Sequence, residues 1–166
     1  MKIYLAGPDI FMPDALAWAE QARQLCRTYG YESLTPLDHT ETVAEKIFQA
    51  NIALIRKAQI VVANLDPFRG AEPDSGTAFE LGYALALGKR ICGYVTRLIS
   101  VADRVELAEG RVPVRYGDRL SDSQGRTIED FGMPCNLMLA VPAMIIQGGL
   151  EDCLKAMRNR PNELTV

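Results

Sequence analysis

The sequence predicts an α/β fold, a doubly wound sheet of about five mostly parallel strands with helices on both faces. Three observations carry this expectation. Short runs such as Ala58-Gln59-Ile60-Val61-Val62-Ala63-Asn64-Leu65 are apolar nearly throughout, as strands covered on both faces are. These runs alternate with segments of helical periodicity, the pattern of a parallel sheet with crossover helices. The strand-like runs also end in turn formers, Gly7-Pro8 after the first and Asp66-Pro67 after the third.

The first strand is expected over Lys2 to Ala6. Asp14 is placed to cap a helix that reaches about Tyr29 and is closed by Gly30. Trp18, Ala22, Leu25 and Tyr29 give that helix one apolar face. A brief strand at Glu32 to Leu34 leads through Pro36 to a second helix. Thr42 with Glu45 has the form of a capping box there, and Ile47, Phe48, Ile52 and Ile55 line the inner face to about Lys57. The run 58–65 is the third strand. A loop from Asp66 to Pro73 precedes a third helix from about Ser75 to Leu87, stopped by Gly88, and Arg90 to Val95 is the next strand. From Thr96 to Asp130 charges of both signs are interspersed without clean periodicity, which reads as a long, partly helical excursion. Regularity returns at Cys135 with a short helix, a strand near Met144 to Gln147, and a helix from about Leu150 to Met157.

Bulk properties narrow the function. The 166 residues suit a single domain spanning 1–166, are 48% hydrophobic and 23% charged, and carry a formal net charge of -3. No Lys or Arg cluster offers a surface for a nucleic acid polymer, so a small ligand is expected. Cys26, Cys92, Cys135 and Cys153 form no CxxC pair, and His39 is the single histidine, so free buried thiols are expected and a structural zinc set is not. The N-terminal apolar run is cut by Gly7-Pro8, too short for a signal peptide core. The uncharged stretch Phe131 to Leu150 holds Pro134, Pro142, Gly148 and Gly149, which favours a helix, a turn and a strand over a membrane span. Cytoplasmic localisation is expected.

Ligands of open parallel sheets bind outside the carboxyl ends of the strands. Tyr4 to Asp9, Asp66 and the helix start Asp74-Ser75-Gly76-Thr77 all fall there. Asp66 and Asp74 also suit plain turn and cap roles. Glu80 stands out as the one acid in Thr77 to Leu87, an otherwise uncharged helix. Carboxylates are rarely buried without a partner or a task. Near the start of a helix the macrodipole favours the anion, which makes Glu80 a nucleophile candidate, with a buried salt bridge as the alternative. Gly76 would admit a ligand to the helix start, and Gly82 would allow close helix packing. No GxGxxG or GxxxxGK[ST] motif is present, and a Ser-His-Asp arrangement has only His39 to draw on.

Tyr4-Leu5-Ala6-Gly7-Pro8, Asn64-Leu65-Asp66, the block Glu72 to Gly82 and the block Gly132 to Leu139 resemble the nucleoside 2-deoxyribosyltransferases, most closely the trypanosomatid-type members. The combination of D-x-G-T-x-F-E-x-G with the late N-L-M-L is the specific part. The resemblance implies a flavodoxin-like fold and exchange of bases on 2-deoxyribose by double displacement, with no metal or organic cofactor. It implies Glu80 as nucleophile at C1′, Tyr4 orienting it, and Asp66 as proton donor and acceptor beside the base. Asp74 would hold sugar hydroxyls, Phe11 would stack on the base, and Gly7 and Gly76 would border the substrate. Asn136 would complete the site of a neighbouring subunit, making the active unit a homodimer or higher homo-oligomer whose partners are a 2′-deoxynucleoside and a free nucleobase. Two other readings stand beside it: a hydrolase of 2′-deoxynucleoside 5′-monophosphates, with Arg69 toward the phosphate, and a non-enzymatic nucleotide sensor.

Overall fold

The structure, a computed structural model, describes residues 1–159. Its main sheet has five strands, all parallel: β1 (Lys2–Ala6), β2 (Glu32–Leu34), β3 (Ile60–Asn64), β4 (Arg90–Val95) and, after the excursion, β7 (Met144–Gln147). They lie in the order β2-β1-β3-β4-β7, the flavodoxin-like arrangement in which the chain direction across the sheet reverses at β1 and β3. The helices are α1 (Ala15–Thr28), α2 (Ala44–Lys57), α3 (Ser75–Ala86), α4 (Val101–Glu109), α5 (Leu137–Ala140) and α6 (Leu150–Asn159). The excursion also forms a separate antiparallel hairpin, β5 (Val114–Tyr116) and β6 (Arg119–Ser121).

Side chains alternate across each strand, so the sheet has two cores. Ile3, Leu5, Ile60 and Val62 face α1 and α6, where Ala22, Cys26, Cys153 and Leu154 are buried. Tyr4, Ala6, Val61 and Ala63 face α2 and α3, where Ile55, Leu81 and Ala84 are buried. A fully buried side chain of the Ile or Leu class contributes about 1.5–3 kcal/mol, so the two layers hold the sheet from both sides. All four cysteines are buried free thiols, as expected from their apolar surroundings. No helix among the described residues is long and apolar enough to cross a membrane.

Some local expectations fail for identifiable reasons. α2 begins at Ala44, so Glu45 falls one position short of closing a capping box with Thr42. Boxes form instead at Thr35–Asp38 and Ser100–Asp103. Asp14 precedes α1 but caps nothing with its side chain, because its backbone lies outside the extended region a cap needs. Phe48 leaves the inner stripe of α2 and meets Phe79 of α3 at 5.9 Å between ring centroids. Apolar periodicity does not distinguish a core aromatic from one in a surface pair. Gly82 has open space where a Cβ would stand, so it serves no close packing within this chain.

Candidate functional site

β1, β3 and β4 are parallel neighbours, so their carboxyl ends share one rim, and α3 starts beside it. Tyr4 points from β1 toward α3 and is completely buried. Its phenol donates to Glu80 Oε1 at 2.5 Å. Burial, and then the Glu80 charge, pushes the Tyr4 phenol far above its ordinary range, so Tyr4 keeps its proton and acts as a donor. Glu80 is pushed up to about 7, mainly by burial and secondarily by the charge of Asp74, with the Tyr4 hydrogen bond pulling the other way. Dehydration therefore outweighs the Tyr4 hydrogen bond that favours the anion. Among the described residues no side chain pairs with Glu80 as a salt bridge, and Oε2 carries no hydrogen bond.

Asp74 starts α3 as its cap. Its Oδ2 accepts from Thr77 N at 2.9 Å and from Thr77 Oγ1 at 3.2 Å. The cap role is thus present, while its charge also reaches Glu80. A Cβ on Gly76 would stand 3.0 Å from Asp74 Oδ2, so the absence of a side chain there keeps the helix entrance open.

Asp66, just beyond β3, is held differently. Its Oδ1 accepts from Thr96 N at 2.8 Å and its Oδ2 from Thr96 Oγ1 at 2.5 Å, tying the end of β3 to the end of β4. Asn64 links this acid to a second one. Its Oδ1 accepts from Asp66 N at 3.0 Å, and its Nδ2 donates to both Asp9 oxygens at 3.1 and 3.2 Å. Burial raises the Asp9 carboxyl above the usual carboxylate range. Gly7 makes room for this bracket: a Cβ there would meet Asp9 Oδ2 at 2.6 Å and Asn64 Cβ at 2.8 Å.

Phe11 and Phe68 stack at 5.6 Å and 15°, and the Arg69 guanidinium lies 4.6 Å above Phe68 and 5.6 Å above Phe11. Arg69 has a φ of 55°, rare for a residue with a side chain and a mark of a constrained loop. Asn136 caps the short α5. Its Nδ2 donates to Glu129 Oε1 at 2.7 Å, its N donates to Glu72 Oε2 at 3.3 Å, and its Oδ1 accepts from Met138 N. Hollows open along the Asp66–Asp74 loop. One of about 630 Å³ is lined by Phe68, Arg69, Glu72, Asp74 and Arg126, and one of about 330 Å³ by Asp66, Thr96 and Arg104 among others. Tyr4 and Glu80 line neither.

A family model described as nucleoside 2-deoxyribosyltransferase matches residues 3–138. The chain belongs to the nucleoside 2-deoxyribosyltransferase family. A solved 2-deoxyribosyltransferase from Leishmania mexicana is similar over 95% of this chain and 97% of its own, with 35% identity and a TM-score of 0.78. An uncharacterised protein of Schizosaccharomyces pombe is 35% identical over 104 residues, 57% of this chain and 49% of that protein, so the chain spans about half the length of this curated relative. A 2-deoxyribosyltransferase from Bacillus psychrosaccharolyticus aligns at 27% identity over 63% of this chain and 82% of its own, with a TM-score of 0.49.

Within this family member, the expected site residues separate into groups. Tyr4, Glu80 and Asp74 come together at the start of α3, bordered by Gly76. Asp66 lies across the rim with Gly7 near its Asn64 bracket, Phe11 is in the aromatic pair, and Asn136 is engaged with Glu129. The sequence reading placed Asp9 at the end of the first strand but gave no role to Asn64 or Thr96, which bond Asp9 and Asp66. Asn64 and Asp66 sit two apart at a strand end, a signal for an Asn that bonds the backbone of the following turn. Nothing local in the sequence marks Thr96, whose partner is 30 residues away.

Proposed function

We propose that the chain is a nucleoside 2-deoxyribosyltransferase that exchanges the base of 2′-deoxynucleosides with a free purine or pyrimidine through a covalent deoxyribosyl intermediate on Glu80. The observation that carries this reading is the Tyr4–Glu80 contact, a half-buried carboxyl fixed through one oxygen with the other free. Glu80 Oε2 forms the bond to C1′ as the C1′–N bond breaks, and its electron pair leaves with the base, which takes up a proton. A second base then attacks C1′, gives up its proton, and returns Glu80 to a carboxylate. The missing 2′-hydroxyl eases positive charge at C1′, and a carboxylate at bonding distance stabilises it.

Asp66 supplies and recovers the proton in this scheme. The Thr96 hydroxyl both donates and accepts, so it can follow Asp66 between two protonation states. Asp74 holds sugar hydroxyls beside Glu80, Phe11 carries the base, and Asn136 serves the site of a neighbouring copy. The hydrolase alternative needs a phosphate site, and Arg69 is instead engaged over two aromatic rings. The test is chromatography of the protein with 2′-deoxyinosine and free adenine or cytosine. New deoxyadenosine or deoxycytidine is expected, and none with Glu80→Gln. Free hypoxanthine without a new nucleoside would point to hydrolysis, and full exchange by Glu80→Gln would overturn the nucleophile.

A further inference from the structure

Glu129 stands near the end of the excursion and is half-buried. Both of its oxygens are spent on one turn: Oε1 accepts from Asn136 Nδ2 at 2.7 Å and Oε2 from Leu137 N at 2.9 Å. Its chain neighbours hold it in place. Ile128 is buried and its N donates to Leu120 O of β6 at 2.8 Å, while Asp130 pairs with Arg115 of β5. The hairpin thus anchors the residues on either side of Glu129. A carboxylate only accepts, so the Asn136 amide turns its NH2 to Glu129 and its oxygen to Met138 N at 3.0 Å. An amide has two N–H donors and two acceptor lone pairs, and these contacts use one of each. One N–H and one lone pair are left. Other bonds hold the same turn: Asn136 N donates to Glu72 Oε2 at 3.3 Å, and Val101 N of α4 to Met133 O at 2.9 Å. Asn136 also lines a further hollow of about 630 Å³, with Ala78 and Gly82 of α3 and the exposed Met138.

We propose that Glu129 is the positioning residue for Asn136, fixing its amide so that the spare N–H and lone pair meet one hydroxyl of the bound deoxynucleoside. This rests on the reading above that Asn136 serves a deoxynucleoside site, and it gives the β5–β6 hairpin a task in that site. A hydroxyl donates and accepts at once, so an amide with one donor and one acceptor left is matched to it. The cap bond to Met138 N alone would leave the amide free to swing about its Cβ–Cγ bond. A second, charge-assisted bond stops that swing. A role confined to starting α5 would use Oε2 alone, yet the shorter of the two bonds runs from the Asn136 side chain to Oε1. Placement matters because a contact displaced by about 1 Å can cost about a hundredfold in rate.

The experiment is a double-mutant cycle of Glu129→Gln and Asn136→Ala, read as kcat/KM for 2′-deoxyinosine with adenine as acceptor. Gln keeps one acceptor but sets an NH2 group against Asn136 Nδ2 or Leu137 N. Glu129→Gln should therefore lose about tenfold, as for a charge-assisted hydrogen bond. Asn136→Ala should lose at least as much, and the double variant no more than Asn136→Ala alone within about twofold, because the two residues act as one unit. A fully active Glu129→Gln overturns the proposal. Losses that multiply do so too, since a residue that only starts α5 adds a loss of its own. Where Glu129→Gln does not fold, Glu129→Asp keeps the charge but withdraws it by one methylene, and it carries the same cycle. Mixing Glu129→Gln with Glu80→Gln under subunit exchange tests the sharing of the site separately. Regained activity means that the aimed Asn136 works in a neighbouring copy. A non-additive cycle without regain sustains Glu129 as the residue that aims Asn136 and overturns only the sharing. An Asn136→Ala variant as active as the wild type overturns both. If the wild type exchanges no base, the same cycle is read calorimetrically as affinity for 2′-deoxyinosine: non-additive weakening sustains the proposal, and additive weakening or no binding overturns it.

Discussion

Glu80 should make the protein less stable as the pH rises, and removing its charge should reverse that. In the folded protein its carboxyl is pushed up from 4.5 to about 7, because burial disfavours the anion more than the Tyr4 hydrogen bond favours it. The sign follows from proton counts. Between pH 4.5 and 7 the folded chain holds a proton at Glu80 that the unfolded chain has released, so folding stability falls across that window as pH rises. Above about pH 7 both states are ionised and the full penalty is present, about 3 kcal/mol at most from the displacement of the carboxyl. Glu80→Gln keeps an oxygen for the Tyr4 phenol and has no charge to bury. Its Tm should match the wild type near pH 4.5 and exceed it at pH 8 by up to about 10 °C, given roughly 2–4 °C per kcal/mol for a protein of this size. Differential scanning calorimetry of both proteins at the two pH values measures this. A Tm difference independent of pH, or a variant less stable at pH 8, would refute the claim that burial holds Glu80 at the edge of ionisation.

The same geometry sets three other outcomes. Tyr4→Phe removes the bond that lowers the Glu80 carboxyl, so the acid limb of the kcat/KM profile for base exchange, expected near 7, should move to higher pH; an unmoved limb would separate Tyr4 from the titration. Gly7→Ala puts a methyl 2.6 Å from Asp9 Oδ2 at a backbone φ of 154°, which should cost about 2 kcal/mol in urea denaturation and lower exchange together; unchanged values would show that the Asp9–Asn64 bracket yields freely. Asn136→Ala should lower turnover and cost about 1 kcal/mol through the lost α5 cap. Mixed with inactive Glu80→Gln under subunit exchange, it should regain activity if Asn136 serves a neighbouring site, and a mixture no better than its parts would count against sharing.

The strands and most helices were legible because local patterns specify them. A β-branched run predicts β3, and Arg90–Val95 and Met144–Gln147 are strands where the sequence places them. The β5–β6 hairpin was not legible. Most of its residues are exposed, so no apolar alternation marks it, and only the Gly117 turn gives a local sign. Cap positions also slipped, since one residue of register decides whether an acid reaches back, as Glu45 shows.

The site divides in the same way. A lone acid in an apolar helix singles out Glu80, the end of β3 makes Asp66 a candidate and the start of α3 Asp74, because these signals depend only on residue type and local period. The pairing of Tyr4 with Glu80 spans 76 residues and that of Asp66 with Thr96 spans 30. Such contacts exist only once parallel strands bring their ends to one rim. The protonation of Glu80 also belongs to the fold. The sequence expectation was an anion at the helix start, whereas burial is the largest effect in the fold and draws the carboxyl up to about 7. Arg104 is the clearest case: a charge in a mixed-charge segment reads as surface, and only packing of α4 against the end of β3 buries it beside Asp66 with donors to spare. The sequence by itself determined which chemical groups the chain owns and the alternation of strands and helices that carries them. Tertiary packing decided which of those groups are dry, because burial depends on neighbours distant in the chain.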